Sequence, residues 1–287
     1  MKYAWMEEHR DQFNVTRMSR QLEVSRTGYC QWRRRKPSER SMANMALDAQ
    51  VAAIHVGSQR SYGRPRIVRG LHEQGVQASH ERVRNSLKRQ GLHPVYKRPY
   101  RVTTDSAHDK PIAPNVLDRR FNNWQVNRAW VGDITYVETG EGWLYLACIM
   151  DLASRRIVGW SMSDRIKADL VCDALKSAYW GRKPPDGLIM HSDRGSQYAS
   201  DHHRQLLKDY RMIPSMSRRA NCWDNSAMES FFKTLKVERI YQLRYETRAI
   251  AKLDILNWIE GFYNHRRFHS SIGYKTPVDL ESSLMTA

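Results

Sequence analysis

Cysteine is scarce in this chain and poorly placed for cross-linking. The four present, Cys30, Cys148, Cys172 and Cys222, include no C-x-x-C pair, which argues against a zinc site and against a disulfide framework. They are expected to be reduced and structural. Long apolar runs are also missing: the longest, Trp143 to Met150, falls well short of the ~18 residues of a membrane span. The N-terminal stretch MKYAWMEEHRDQF carries charges where a signal peptide has its apolar segment. Nothing therefore directs export, and a cytoplasmic protein is expected. No sustained heptad, internal repeat or low-complexity tract occurs.

Acidic residues are the remaining shortage. Thirty Asp+Glu oppose 47 Lys+Arg, a formal charge of +17, and the excess is uneven. Residues 1–120 hold 24 basic against 11 acidic side chains, net +13, whereas residues 121–287 hold 23 against 19, net +4. Such a balance predicts a polyanionic partner; with no amphipathic membrane helix in view, nucleic acid is the simplest. The competing reading is a merely soluble basic protein. At 287 residues and 41% hydrophobic content the chain can bury a sizeable core, as two domains or as one domain plus an arm.

The basic half reads as helical. In Val15 to Lys36, Val15, Met18 and Leu22 make one apolar face; Val24 and Ser25 then supply a turn and the N-cap of a second helix with Tyr29 and Trp32. This is a helix-turn-helix layout, with Arg26, Gln31 and Arg33 to Arg35 placed to meet phosphates or base edges. A second pair follows: SYGRPRIVRGLHEQG, with Pro65 in its first turn and Gly75 at its end, and SHERVRNSLKRQG, from an N-cap Ser79 to Gly91. Packing Ile67 and Leu71 against Val83 and Leu87 leaves Arg64, Arg66, Arg69, Arg82, Arg84, Lys88 and Arg89 outside, as a phosphate-binding face or as solvated helix surface. Residues 1–95 are thus expected to be a basic, helix-turn-helix-like DNA-binding region. Residues 96–123, without periodicity and with three prolines, are expected to be a linker.

Residues 124–287 change pattern. Trp130 to Val137, Trp143 to Met150 and Ile157 to Met162 read as an antiparallel meander. A helix over Ala168 to Trp180, a buried strand at Leu188-Ile189-Met190, a helix near His202 to Tyr210, a strand Ile213 to Met216 and a helix carrying Glu229 complete the series. The order implies an α/β domain with a mixed five-stranded sheet behind an all-α arm. Ile255 to Arg267 reads as a further helix whose Ile255, Ile259 and Phe262 face inward; it ends in the basic run NHRRFHSS, in which Arg266 and Arg267 suit DNA better than a core.

Three acids stand where a purely structural chain rarely puts them. Asp133 interrupts a strand, where propensity disfavours aspartate, Asp193 ends a buried strand before a glycine turn, and Glu229 begins a helix. Alone, Ser226-Ala227-Met228-Glu229 has the S-x-x-E form of a capping box, with Ser226 as cap. A mixed sheet can instead bring the three acids together, and clustered carboxylates repel unless a cation neutralises them. Two Mg²⁺ ions roughly 4 Å apart would then serve an in-line displacement at phosphorus. Lys233 and Lys236 share the flank of Glu229, as phosphate contacts or as simple Glu–Lys helix pairs. His191 and Asn225 are read either as site residues or as satisfied buried groups, and Asp151 as a turn-former at a strand end.

The motifs W-V-G-D-I-T-Y, D-L-A-S-R-R-I-V-G-W, H-S-D-R-G-S-Q-Y, N-C-W-D-N-S-A-M-E-S-F-F-K-T-L-K and Y-N-H-R-R-F-H-S-S-I-G-Y-K-T-P resemble the second-reading-frame product of a large bacterial insertion-sequence family. Fifty-nine residues separate Asp133 from Asp193 and thirty-five separate Asp193 from Glu229, an order and spacing similar to the catalytic core of such transposases and of retroviral integrases. The resemblance spans nearly the whole chain. It implies a ribonuclease H-like core, catalysis and Mg²⁺ or Mn²⁺ binding by Asp133, Asp193 and Glu229, and strand cleavage by water followed by 3′-OH strand transfer. It also implies element ends and target DNA as partners, assembly of several copies on DNA, and an upstream-frame product as fusion or partner. A nuclease of the same fold and a non-catalytic DNA-binding regulator are the alternatives. One departure is plain: His55, His72 and His80 with Cys30 lack the spacing of the retroviral zinc module.

Overall fold

A computed structural model describes residues 1–95, 110–219 and 221–286; part of the expected linker, 96–109, and the side chain of Cys222 lie outside the described residues. The chain opens with three short helices, α1 (Lys2–Glu8), α2 (Val15–Gln21) and α3 (Arg26–Arg34), around a small core of Met6, Met18 and Tyr29. Asn14 and Ser25 accept from the amides of Thr16 (2.8 Å) and Gly28 (3.2 Å), so each helix of the expected helix-turn-helix has its own side-chain cap. The Tyr29 hydroxyl donates to Glu7 at 2.5 Å and ties α3 to α1.

Then come α4 (Glu39–Gly57), α5 (Arg64–Glu73) and α6 (His80–Arg89). Ser79 caps α6 as its sequence predicts, and Gly75 and Gly91 close α5 and α6 at φ of 77° and 61°, values natural to glycine. Leu47, Val51 and Ile54 of α4 pack with Ile67, Leu71 and Val83.

The sheet has the order β3-β2-β1-β4-β5. β1 (Ala129–Thr139), β2 (Gly142–Asp151) and β3 (Ile157–Ser163) form the antiparallel meander, while β4 (Ile189–Ser192) and β5 (Ile213–Met216) join parallel. One face buries Trp130, Ile149, Leu188 and Met190 under α7 (Ala168–Arg182) and α8 (Asp201–Asp209). Gly159 lets α7 lie directly on β3, because a Cβ there would sit 2.5 Å from the Ala174 carbonyl oxygen. The other face buries Leu144 and Leu146 under α9 (Ser226–Glu238), α10 (Arg248–Leu256) and a π-helical continuation, Asn257–Tyr263. Ile255, Ile259 and Phe262 face inward as their spacing predicts; the helix itself starts earlier than expected, at Arg248.

This second core does not stop at the catalytic layer. Leu47, Ile67 and Leu71 belong to the same cluster as Phe231, Phe262 and Phe268. Tyr62 stacks on Phe268 at 5.5 Å between ring centroids, donates to the Arg266 carbonyl at 3.0 Å and accepts from the Phe268 amide at 2.7 Å. Residues 110–123 are also seated: Leu117 is fully buried, and the amides of Val116 and Leu117 donate to Ser215 Oγ at 3.0 and 3.1 Å. A last helix, α11 (Pro277–Met285), places a buried Glu281 against Arg156 (2.7 Å) and Arg182 (2.6 Å).

Candidate active site

The site lies where the parallel part of the sheet ends. β4 pairs with β1 only from Ala129↔Ile189 to Val131↔His191, so two steps further along that register Asp133 faces Asp193. On the opposite face of β1, the residue before Asp133 is Gly132, where a Cβ would stand 2.6 Å from Met190 Cε and 3.3 Å from the Tyr198 hydroxyl. Each aspartate is oriented by a backbone amide, Asp133 Oδ1 by Ile134 at 2.8 Å and Asp193 Oδ1 by Gly195 at 2.9 Å. Glu229, in the first turn of α9, approaches from the layer packed on β1.

These groups feel one another. Burial raises the Asp133 carboxyl well above the usual carboxylate range, and the charges of Asp193 and then Glu229 raise it further, against the Ile134 amide and Lys236. Glu229 is raised by burial. The phenol of Tyr198 is pushed up by burial and by the charges of Asp133 and Asp193, and the thiol of Cys148, the cross-strand partner of Asp133, by burial and Asp133. Among the described residues no three His, Cys, Asp or Glu side chains stand close enough to enclose an ion as they are. Lys236 is half-buried, with Nζ 4.6 Å from the centre of the Tyr136 ring; burial lowers its pKa and Asp133 opposes that.

The start of α9 corrects one expectation. Ser226 is already inside the helix, the N-cap position is Asn225, and no side chain caps the end, so Glu229 is not part of a capping box. What fixes the helix start is Asp224, which the sequence reading passed over. It is fully buried and accepts from Arg218 (backbone N and Nε, both 2.9 Å, and Nη2, 2.9 Å), Arg119 Nε (2.8 Å) and Asn115 Nδ2 (3.0 Å). The Arg218 guanidinium, first among these, holds its carboxyl far below the usual range. Beside it, Asn225 Nδ2 donates to the Gly132 carbonyl at 3.1 Å and fastens α9 to the residue before Asp133. His191 is structural: Ser215 and Ser217 hydroxyls meet its two nitrogens at 2.8 and 3.2 Å, and burial lowers its pKa to about 4. Asp151 is likewise internal, taking the amides of Asn127 (2.7 Å) and Ala153 (2.8 Å) and the Trp130 indole (3.2 Å).

Comparison with known proteins agrees with this architecture. Residues 124–222 and 210–277 match integrase core domain models, and residues 43–100 match an HTH-like domain. Transposase InsF for insertion sequence IS3A of Escherichia coli (strain K12) is 41% identical over 98% of this chain and 99% of its own. The chain belongs to the InsF-type insertion-sequence transposases. An insertion element IS600 31 kDa protein of Shigella sonnei is 40% identical over 89% of this chain and 94% of its own. The catalytic core domain of HTLV-2 integrase, solved with magnesium, is 16% identical over 55% of this chain and 97% of that one, with a TM-score of 0.43.

The transposase therefore carries an integrase-type core behind a helical, HTH-like region, and its activity is on DNA. Its expected DNA contacts divide in two. Arg64, Lys233 and Arg266 are exposed. Arg66 and Arg267 are not available in the same way: Arg267 is 3% exposed and donates to both oxygens of Glu238, Nε at 2.7 and Nη2 at 2.6 Å, and Arg66 Nη1 stands 3.5 Å from the same carboxylate. Arg66 thus joins α5, and Arg267 the segment after the π-helical turn, to the far end of α9, in place of the DNA contact their charge implies. Of the cysteines, Cys148 and Cys172 are buried thiols, whereas Cys30 is exposed. No helix among the described residues is long and apolar enough to cross a membrane.

Proposed function

We propose that Asp133, Asp193 and Glu229 hold Mg²⁺ or Mn²⁺, as two ions, and that the transposase cuts DNA at the ends of its element and joins the freed 3′ ends to a target. The observation that carries this reading is a half-buried carboxylate on the central strand, Asp133, whose charge is disfavoured by desolvation and by two further acids from separate elements. The donor set fits the metal, since carboxylate oxygens are the hard ligands these ions take and a cation removes the repulsion. When bound, the metal supplies activation of the attacking oxygen and stabilisation of the leaving one.

The chain's own groups do the rest. The amides of Ile134 and Gly195 fix the directions of the two aspartates. Lys236, beside Asp133, and the exposed Lys233 one turn before it meet DNA phosphates. The basic region 1–95, with the exposed Arg64, and the exposed Arg266 hold the duplex. In cleavage the water oxygen bonds to phosphorus and the P–O3′ bond breaks, leaving a 3′-hydroxyl and a 5′-phosphate. In joining, that hydroxyl bonds to a target phosphorus while the target's own P–O3′ bond breaks. One phosphodiester replaces another, so the transfer needs no external energy source and no covalent serine or tyrosine intermediate.

The test is a cleavage and joining assay on element-end DNA with Mg²⁺ or Mn²⁺, with the chain alone and together with the upstream-frame product. Nicked and strand-transfer products are expected, and both disappear in Glu229→Gln. Hydrolysis without joining would identify a nuclease, and absence of both would end the proposal. A cellular effect unchanged by Asp193→Asn would identify a DNA-binding regulator.

A further inference from the structure

Two aromatic rings on the β1–β2 hairpin reach into solvent: Tyr136 is 37% and Trp143 47% exposed. Tyr136 pairs across the ladder with Tyr145, and Trp143 with Glu138, so the two rings are diagonal neighbours on one face of the sheet. Their centroids are 5.0 Å apart and their planes cross at 84°. On the same face Ala147 and Ile149 are buried with α7, but the hairpin end projects beyond that cover. A cross-strand aromatic pair stabilises a hairpin only modestly. What sets this one apart is the cation beside it.

Among the described residues no strand pairs with the β4-side edge of β1 between Val131 and Thr139. Lys236 of α9 reaches that open edge: its Nζ stands 4.6 Å from the centre of the Tyr136 ring, and the charge of Asp133 acts on the same ammonium. Asp133 is three residues back along the strand, about 10 Å. On the other side Ser163, the partner of Tyr145, leads into a loop whose Ile166 carbonyl accepts from Gln197 Nε2 at 3.4 Å, in the turn that follows Asp193. The rings are therefore flanked by segments that belong to the site. An ammonium beside exposed rings suits a nucleotide, with phosphate on the cation and base on the ring. A duplex shows its grooves only the edges of its bases, so a base that stacks here has left its pair. Two rings at right angles make a corner, in which a planar base lies flat on one with its edge against the other.

We infer that Tyr136 and Trp143 receive a base displaced from its pair beside the scissile phosphate, with the adjoining phosphate on Lys236. This rests on the strand-transfer reading above. Displacement costs the pairing and stacking of one base, and the rings return part of that cost whatever the base is. They are positioning residues: they part the strand that is cut from its complement and hold it along β1 toward Asp133.

Binding, not turnover, tests it. Element-end duplexes carrying either a mismatched base or an abasic sugar, placed at each position flanking the cleavage point in turn, are titrated with the full chain in Ca²⁺, which fills hard-oxygen sites. Both lesions loosen the duplex, but only the mismatch leaves a base to stack. At one position wild type is expected to prefer the mismatch at least about fivefold, the lower end of the worth of one base on an aromatic ring. Trp143→Ala and Tyr136→Ala are expected to bind the two alike, with melting curves confirming that at least one of them is folded, whereas Trp143→Phe and Glu229→Gln keep the preference. A preference absent from wild type at every position, or kept at full size in a folded alanine variant, overturns the inference. So does an alanine variant that keeps the preference and instead changes the sedimentation of the free chain, which would make a second copy the occupant of the rings. If wild type joins strands yet shows no preference, this inference fails alone; if wild type neither cuts nor joins, the proposed function fails with it.

Discussion

Two sets of acids, three of their members in or directly before α9, live in opposite surroundings. Asp224 and Glu238 are saturated with arginine: five donors converge on Asp224 from the loop and the segment before β1, and Arg267 grips Glu238 through two bonds while Arg66 approaches from α5. Among the described residues Asp133 and Glu229 have no arginine partner; Asp133 has the Ile134 amide and a half-buried Lys236 nearby, and the pKa values of both acids move up where that of Asp224 moves down. α9 carries one glutamate of each kind at its two ends. A structural acid is paid in cations from the protein; a functional one is left for a cation from outside.

The sharpest way to break this comparison is to make the same substitution at both ends of α9. Glu229→Gln is expected to lower strand cleavage by at least ~10³-fold, equivalent to ~4 kcal/mol of transition-state stabilisation, while its melting temperature stays level or rises. Glu238→Gln is expected to do the reverse. The nearly buried Arg267 loses its anion, urea unfolding reports a loss of about 3 kcal/mol, and protein that remains folded still cleaves. Equal loss of stability in both variants would mean that the two glutamates do the same job.

Asp224→Asn is expected to cost about 2 kcal/mol by the same measurement. That is less than Glu238→Gln because Arg119 and Arg218 are each nearly half exposed and return to water when released. Cleavage should fall with it, since the start of α9 loosens. A silent Asp224→Asn would show that Asn225 alone anchors the helix.

The smallest effect concerns a buried base in place of an acid. Burial lowers the pKa of His203 to about 4, against 6.5 for a free histidine. Between those values the unfolded chain binds more protons than the folded one, so stability is present above pH 6.5 and drains as pH falls toward 4. From pH 7 to pH 5 this one group contributes a decline of about 2 kcal/mol. Thermal melting across that range should show the slope, and His203→Gln should reduce it by about that amount, His191 and His269, lowered in the same way, keeping the remainder.

Much of this was legible in the residues. All five strands and the helices between them follow from runs such as AWVGDITYV and GWLYLACIM and from the stripe of Met228, Phe231, Phe232 and Leu235, because each layer buries one face and burial imposes a period. α4 escaped because its inward Leu47, Val51 and Ile54 are mixed with alanines and with exposed Met42 and Met45, which blur the stripe. Of the basic residues, charge was visible but its destination was not. Arg66 and Arg267 read as DNA contacts until Glu238 is seen between them, and the role of Asp224 depends on Arg119, 105 residues away in sequence. Ser226 misled for a local reason: S-x-x-E is a sound capping signature, but here a long-range bond from Asn225 to Gly132 and the Asp224 cluster set the helix start one residue earlier.

The contact between Tyr62 and Phe268 has a consequence for how such elements diversify. The helical region and the sheet domain are not beads on a string; one apolar core runs through both, and a tyrosine of one makes two hydrogen bonds with the backbone of the other. A recombinant that swapped the helical region for a foreign one would inherit an unmatched surface over Ile255, Phe262 and Phe268. The seam has therefore to be exchanged together with the helical region, as one unit.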